Sequence, residues 1–248
     1  MERGLLIFIF ISFFISCKKE KTLPEPIVED SNGIDFSCIG EPIGKFGVGV
    51  FDIERTNYKT VIIGKQEWMA ENLKVSKYND GTVITNVVET KEWLNQTQAA
   101  LCSFNNDINN DTKFGKLYNW YTVNQAMNGN KNICPVGWHV PTSEEWDILT
   151  DNLGGVDLAG GKMKEIGTNN WKTPNKEGVN KSLFTALPGG FRSVNGVFTD
   201  LGENGFWWST TEYSPGIAWF RNLNYEVDDL IVDYYGVEGG FSIRCLKD

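Results

Sequence analysis

The sequence has 248 residues, with 32 acidic and 23 basic side chains and a formal net charge of −9. This acidic balance argues against nucleic acid as a partner and against electrostatic attachment to anionic lipid. Nine tryptophans and 15 phenylalanines supply apolar surface for a substantial core, and the length fits one domain of somewhat over average size.

The first residues have the pattern of a secretory signal peptide. An apolar run at 5–15 follows Arg3 and is too short to span a bilayer comfortably. It ends in Ser16 and Cys17, and a small residue before a cysteine resembles the lipobox of bacterial lipoproteins. In that class the chain is cut before the cysteine, which becomes an acylated N-terminus. We therefore predict a signal peptide at 1–16 and lipidation of Cys17. The alternatives are an ordinary signal peptide and an uncleaved anchor.

The segment at 17–33 predicts a flexible tether. It is charged, contains prolines and has few apolar side chains, so it cannot bury enough surface to offset the entropy of ordering. An N-terminal extension at 34–50 and a folded domain at 51–248 follow. Because each buried methylene of an acyl chain contributes about 0.8 kcal/mol, several chains on Cys17 would hold the domain at a membrane. We expect an extracytoplasmic protein, anchored to the bacterial outer membrane through this lipid and displayed at the cell surface.

Local patterns in the first half of the domain predict a hairpin and a helix. Residues 57–63 and 66–69 are strand-like and flank Gly64-Lys65 as a hairpin. Asp80-Gly81 marks a turn. Apolar residues at helical spacing over 117–127 predict a helix that ends near Gly129.

The segment at 133–149 combines a cysteine, two prolines, two tryptophans and the only histidine. Within it, Thr142 and Glu145 fit a capping box, in which each residue bonds the backbone N–H of the other. Trp146 and later leucines follow at helical spacing, and a pair of glycines supplies a stop. A short amphipathic helix at 143–153 is therefore predicted.

The second half of the domain is rich in strands and loops. Asn195-Gly196 between two apolar runs predicts a two-residue hairpin. Further strands are predicted at 206–211, 217–223, 230–234 and 241–246. Two short helices followed by this strand-rich half favour an α+β class with antiparallel sheets and a loop-rich C-terminal half.

Short motifs recur in a telling order along the domain. They are Asn57–Val61, Trp68–Leu73, Tyr78–Gly81, Gly115–Trp120, Cys134–Thr142, Trp146, Leu187–Arg192, Trp207–Thr211 and Gly240–Cys245. The series resembles the Fibrobacter succinogenes major paralogous domain family, common in surface lipoproteins of Bacteroidetes-type bacteria, over roughly 50–248. This resemblance implies a C-type-lectin-like fold, related to the domain of formylglycine-generating enzymes. The family's biochemical function is essentially unassigned.

Four cysteines besides Cys17 indicate an oxidising compartment and permit three disulfide connectivities. No two lie close enough in sequence for a C-x-x-C zinc or redox site. The lectin-like fold commonly ties its last strand to an earlier element. The resemblance therefore implies Cys134–Cys245, which leaves Cys38–Cys102. The alternative is that some of these cysteines are free and buried.

No catalytic residue is predicted. His139 is the only histidine, so a multi-histidine metal site is impossible, and a Ser-His-Asp triad would have to use it. It lies in a turn, where we expect it to pack or cap locally. The chemistry of formylglycine-generating enzymes uses two neighbouring cysteines in the C-terminal part, and Cys245 has no such neighbour.

No cofactor is predicted, although calcium stays open. The loop that begins at Asp107 resembles an EF-hand but has Thr112 and Tyr118 where the motif requires glycine and glutamate. A looser calcium site would use oxygen ligands in the C-terminal half. The candidates are Asp200, Glu203, Asn204, Asp228 and Asp229.

Aromatic and polar residues of the C-terminal loops are the candidates for ligand binding. They are Trp208, Tyr213, Trp219, Glu203, Asn204 and Glu212. Adjacent Trp207 and Trp208 point to opposite faces of a strand, so an outward indole would be free to stack on a sugar ring or another protein. The alternative is that both are buried because the sheet is covered on both sides.

These features favour a membrane-anchored, non-enzymatic binding or adhesion module with a glycan or protein ligand. The first alternative is an enzyme on the same fold, formylglycine-generating or hydrolytic, that uses carboxylates of the C-terminal loops. The second is a structural cell-envelope or fimbria-like subunit. The sequence leaves the oligomeric state open.

Overall fold

The computed structural model describes residues 40–248, in which short strands dominate. The strands are β1 Lys45–Phe46, β2 Val50–Phe51, β3 Asn57–Tyr58, β4 Thr60–Ile63, β5 Gln66–Met69, β6 Thr85–Asn86, β7 Ala100–Cys102, β8 Leu117–Tyr118, β9 Trp138–His139, β10 Gly189–Arg192, β11 Phe198–Leu201, β12 Asn204–Ser214, β13 Ile217–Asn224, β14 Ile231–Gly236 and β15 Leu246–Lys247. The predicted signal peptide, tether, Cys17 and Cys38 lie outside the described residues. Within 40–248, no helix has the length and apolar character needed to cross a membrane.

The helices are short and lie mainly between the N-terminal strands and β10. They are α1 Thr90–Leu94, a 3₁₀ helix Phe104–Asn106, α2 Asn109–Phe114, α3 Trp120–Val123, α4 Gln125–Asn128, α5 Ser143–Asn152 and α6 Val156–Met163. The protein is therefore α+β, as the sequence predicts. It contains more short helices than the two that were expected.

The first sheet joins both ends of the described chain in the strand order β1-β4-β5-β15-β9. The predicted hairpin is confirmed, since β4 and β5 pair antiparallel with Ile63 opposite Gln66. β1, which lies in the predicted N-terminal extension, pairs with β4. The last strand, β15, enters the middle of the sheet, where Leu246 lies opposite both Trp68 and His139.

The second sheet has the order β11-β10-β12-β13-β14. A hairpin connects β10 and β11 at Asn195-Gly196, but its loop has three residues instead of the predicted two. Arg192 lies opposite Phe198, the Ser193 amide donates to the Val197 carbonyl at 2.8 Å, and Gly196 adopts a positive φ of 75°. β12, β13 and β14 form an antiparallel meander over the predicted strands. Only the end of the strand predicted at 241–246 is regular. Its earlier residues make single bridges to Tyr118 and Trp207.

The helix predicted at 117–127 is interrupted. Leu117 and Tyr118 form β8, and two separate short helices follow. Asn119 caps α3 by accepting from the Thr122 amide, and Asn124 ends α3 and caps α4 by accepting from the Ala126 amide. The helical spacing of the apolar residues was correct, but these asparagines favour caps over helix interiors.

The capping box of α5 is confirmed. The Glu145 amide donates to the Thr142 hydroxyl at 3.2 Å, and the Thr142 amide donates to the Glu145 carboxylate at 2.8 Å. Trp146 and Leu149 are buried beneath the helix. This box fixes the direction in which the chain enters α5.

The helix α6 was not predicted, because its glycines are unfavourable in a helix interior. The structure explains them by close packing. A Cβ atom at Gly160 would lie 2.2 Å from the carbonyl oxygen of Asp229, and one at Gly161 would lie 2.6 Å from that of Glu177. The Gly161 amide also donates to the Asp228 carbonyl at 2.9 Å. The glycines therefore let α6 dock directly on the backbone.

The structure contains the Cys134–Cys245 disulfide that the resemblance implied. It ties the segment before α5 to the segment before β15, across 111 residues of sequence. Cys102 is buried and has no disulfide partner within residues 40–248. Cys38 lies outside the described residues, so the Cys38–Cys102 pair stays a prediction. Cys102 lies in β7 among apolar side chains such as Trp93 and Leu117, and burial raises the pKa of its thiol to about 12.

A hydrogen-bond network around Asn72 connects distant parts of the chain. Its amide oxygen accepts from the Trp207 indole at 2.8 Å and from Arg244 Nε at 2.9 Å. Its amide nitrogen donates to the Phe114 carbonyl at 2.8 Å and to the Ser242 hydroxyl at 3.2 Å. All four partners are buried, so Asn72 satisfies polar groups that water does not reach.

Replacing Asn72 with alanine is expected to lower the free energy of unfolding by roughly 3 kcal/mol or more, because several buried groups lose their partners. Urea denaturation measures this change. The matched control is Asn86→Ala, since Asn86 is exposed in β6, and we expect a change of at most about 0.5 kcal/mol. A loss below about 1 kcal/mol for Asn72→Ala would contradict the central role of this network.

Candidate functional site

One face of the second sheet carries aromatic side chains that are open to solvent. Eight of the nine tryptophans are buried, and Trp219 in β13 is the exception. Tyr213 in β12 is 49% exposed and Tyr234 in β14 is 45% exposed. These three residues are called the aromatic platform below. The exposure sets it apart from the rest of the tryptophan-rich core.

The three rings of the platform come from three adjacent strands. Trp219 lies directly opposite Tyr234 in the strand register. Tyr213 and Tyr234 stack in parallel with ring centroids 4.2 Å apart, and the Trp219 ring is nearly perpendicular to both. Because β12 and β14 are separated by β13, about two strand spacings of 4.8 Å each, the two tyrosines must lean towards each other across β13. The platform is therefore a preformed cluster.

The polar atoms of the platform are available to a ligand. The buried indoles of Trp120, Trp207 and Trp208 donate to Ser209, Asn72 and Tyr118. Within residues 40–248, the Trp219 indole and the two tyrosine hydroxyls have no such partners. Buried tyrosine and tryptophan usually find one, so these open groups indicate a surface that is apolar in its body and polar at its edge.

A charged pair adjoins the platform on the same face of β13. Arg221 is two residues from Trp219, and side chains two apart in a strand share a face. The Arg221 guanidinium is buried and donates to the carboxylate of Asp147 in α5 at 2.7 Å. Burial lowers the pKa of Arg221, while Asp147 opposes that shift. The Asp147 side chain is 62% exposed, so its carboxylate can accept further hydrogen bonds.

The predicted ligand-binding residues separate into groups. Tyr213 and Trp219 meet in the platform, and exposed Glu212 precedes Tyr213 in β12. Trp208 does not face solvent, which corrects the expectation of an outward indole. Trp207 and Trp208 are both fully buried, because both faces of the sheet are covered at this point of β12, and the Trp208 ring stacks on Phe241 at 4.2 Å.

Two other predicted ligand residues lie apart from the platform, at the turn between β11 and β12. Glu203 forms an ion pair with Lys172. The Asn204 amide oxygen accepts from Asn222 at 3.2 Å and from Asn224 at 2.9 Å. These side chains organise the start of β12.

Tyr234 was missed as a binding candidate. It lies in an edge strand where neighbouring residues are also exposed, so nothing local distinguishes it. The signal available in the sequence was an aromatic residue in β14, the strand that follows β12 with Tyr213 and β13 with Trp219. The stack that defines its role joins residues 21 positions apart (234 − 213) and depends on the strand register.

The calcium candidates form two separate groups. Asp200 accepts from the Asn204 amide at 3.3 Å and lies near Glu203 in the β11–β12 turn. Asp228 and Asp229 lie in the loop between β13 and β14, where Asp228 pairs with Lys176 at 3.4 Å. Among residues 40–248, no group of three or more histidine, cysteine or acidic side chains is arranged to hold a metal ion. Calcium binding stays a prediction.

His139 joins the end of β9 to α5 and to the C-terminal residues. Its Nδ1 lies 2.6 Å from the Asp248 carboxylate and its Nε2 lies 3.0 Å from the Glu145 carboxylate. Partial burial alone would lower the pKa of His139, but the two carboxylates outweigh it and raise this pKa above its usual 6.5. With both nitrogens engaged, the ring has no nitrogen left to activate a nucleophile. It acts as a local clamp, as the sequence suggested.

Comparison with models of protein families tests the family membership that the sequence motifs suggested. The model of the Fibrobacter succinogenes major domain matches residues 61–247. The chain belongs to this family. The family has no assigned function, so membership leaves the activity open. No curated protein and no solved structure matched the chain.

The stability of this Fibrobacter succinogenes major domain is expected to depend on pH through His139. Because folding raises the pKa of His139, its protonated clamp stabilises the fold fully below about pH 6.5, and this stabilisation is lost as pH rises through the folded pKa. The imidazole signal in an NMR titration should report the raised pKa, since the chain has one histidine. Urea denaturation should show a matching fall in the free energy of unfolding.

His139→Gln is the control, because glutamine cannot take up the proton. It should remove the fall in stability over this pH interval. A His139 pKa at or below 6.5 would contradict the clamp.

Proposed function

We propose that the protein is a non-enzymatic binding module, anchored by lipid outside the cytoplasm, which holds a glycan against the aromatic platform. The observation that carries this proposal is the cluster of two exposed tyrosines, Tyr213 and Tyr234, with Trp219, which is partly buried where every other tryptophan is buried. Burial of exposed aromatic surface by a ligand is favourable, and the side chains of a preformed cluster lose little conformational entropy when the ligand binds.

The size of the platform favours a glycan over a protein. One aromatic side chain buries about 150–250 Å² when fully covered, so two half-exposed tyrosines and a partly buried tryptophan offer roughly 200 Å². A stable protein interface needs about 800 Å² from each partner. One or two sugar rings match the smaller area, and their hydroxyls match the open indole N–H, the tyrosine hydroxyls and the Asp147 carboxylate. A protein ligand is the other outcome of the test below.

The lipid anchor is supported by the sequence of the N-terminal segment. Cys17 follows a short apolar run and a small residue, and a charged, proline-bearing tether separates it from the first described strands. Such a tether would place the platform at some distance from the membrane. The anchor and the platform together suit a protein of the bacterial outer membrane that captures glycans at the cell surface.

The alternatives have less support from the described residues. The enzyme alternative loses two of its C-terminal carboxylates, because Glu203 and Asp228 are paired with lysines, and both ring nitrogens of His139 are engaged. A structural envelope subunit would not require an open aromatic cluster. The C-type-lectin-like fold, which the family resemblance implies, would be compatible with the binding module.

Replacing Trp219 with alanine is expected to weaken glycan binding by at least about tenfold, because a central aromatic contact is typically a major contributor to binding energy. A glycan array identifies the ligand, and calorimetry of the parent and variant measures the dissociation constants. Tyr234→Ser tests the same surface through a residue that is already 45% exposed, so its folding should be little affected.

Phe51→Ala is the matched control for these variants. Phe51 is an exposed aromatic residue in β2, which belongs to a different sheet, and its loss should leave glycan binding unchanged. If the parent binds no glycan on the array, or if Trp219→Ala binds as well as the parent, the proposal is wrong. Selective binding of a protein through Trp219 would replace the glycan as ligand.

Cys17→Ser is expected to abolish lipidation of the full chain. In a bacterial host fed an alkyne-labelled fatty acid, the parent should carry the label and sediment with membranes, and Cys17→Ser should do neither. Cys38→Ser is the matched control and should keep the label, because Cys38 lies beyond the tether. An unlabelled parent would contradict the lipoprotein assignment.

A further inference from the structure

A concave site lies beside the clamp of His139, and none of the residues that line it belongs to the platform. It is a cleft of about 330 Å³ between the junction of α3 and α4, the segment 131–142 and Thr210 of β12. Small-molecule sites usually occupy about 300–1,000 Å³, so this cleft has room for one small ring.

The floor of the cleft is apolar and its rim is polar. Val123, Ile133 and Val140 line it and are each at most 5% exposed. Gln125, which is exposed, and Thr210, which is partly buried, also line it. Neither side chain makes a hydrogen bond to another described residue. These two groups are therefore free to bond a ligand lying on the apolar floor.

The charged groups of the cleft are already engaged. His139 lies between the carboxylates of Glu145 and Asp248. The Lys131 ammonium donates to the carbonyl of Asn128 at 3.1 Å, at the C-terminus of α4. Two carboxylates balance Lys131 and His139 in either protonation state of the imidazole, so the surroundings carry no net positive charge. An anionic ligand would therefore lose hydration here without gaining a net opposite charge.

We propose that this cleft binds a single neutral sugar ring. A pyranose has an apolar face of C–H groups, which suits the floor, and hydroxyls at its edge, which suit the Gln125 amide and the Thr210 hydroxyl. Its size suits the cleft volume. The site is separate from the platform, so it goes beyond the proposed function and does not depend on it.

The test is an NMR titration of the full chain with neutral monosaccharides, namely glucose, galactose, mannose and N-acetylglucosamine. At least one is expected to shift the amide signals of Ile133, Val140 and Thr210. Thr210→Val and Gln125→Ala should each raise the dissociation constant for that sugar about fivefold, because each removes one hydrogen bond. Because neither side chain has a partner in the fold, both variants should keep the parent's stability.

Thr97→Val and Gln98→Ala are the matched controls, since both residues are exposed and lie away from the cleft lining, and they should bind like the parent. Trp219→Ala should also leave this titration unchanged, which separates the cleft from the platform. The proposal is overturned if no monosaccharide shifts the cleft signals, or if Thr210→Val and Gln125→Ala both bind like the parent. Tighter binding of glucuronate than of glucose would overturn the assignment to a neutral ligand.

Discussion

The fold depends on the segment 240–247, which runs through the centre of the molecule and connects both sheets. The amides of Met69 and Leu73 donate to its carbonyls at 2.9 Å from the side of the first sheet. The Trp208 amide donates to it at 3.2 Å from the second sheet. A disulfide at Cys245 and the buried side chain of Arg244 fix the same segment. Because its neighbours are far apart in sequence, this segment is paired only when the rest of the domain is in place.

Buried cations organise the loops that regular structure does not hold. Arg192 donates to backbone carbonyls at 87, 88 and 196, and Arg244 donates to those at 184 and 185. Lys164 donates to carbonyls at 224 and 227, and burial lowers its pKa to about 8. None of the three forms an ion pair within residues 40–248. Carbonyl dipoles take the place of carboxylates, so each cation draws a loop inwards and satisfies its backbone.

Sequence rules for caps and turns predicted the elements that a few adjacent residues determine. The capping box of α5 and the hairpin at Asn195 follow from a few adjacent residues. The box is confirmed, and the hairpin is present with a loop one residue longer than predicted. The helix at 117–127 failed where Asn124 acts as a cap, which apolar spacing does not detect. Trp208 and Tyr234 were misjudged for a different reason. Their exposure depends on which elements cover each face of the second sheet, and that information is spread over the whole chain.

An irregularity in β12 accounts for the position of both proposed sites. Between Trp208 and Glu212 the strand advances four residues while β13 advances two, so β12 bulges there. The bulged Thr210 donates its amide to the carbonyl of Pro141 at 2.9 Å, which brings it to the cleft. A second irregularity follows between Glu212 and Ser214, and Tyr213, which lies within it, contacts the Trp219 ring with centroids 4.9 Å apart. A regular strand would carry no residue out to the segment before α5. The bulge thus allows one strand to serve the cleft and the platform.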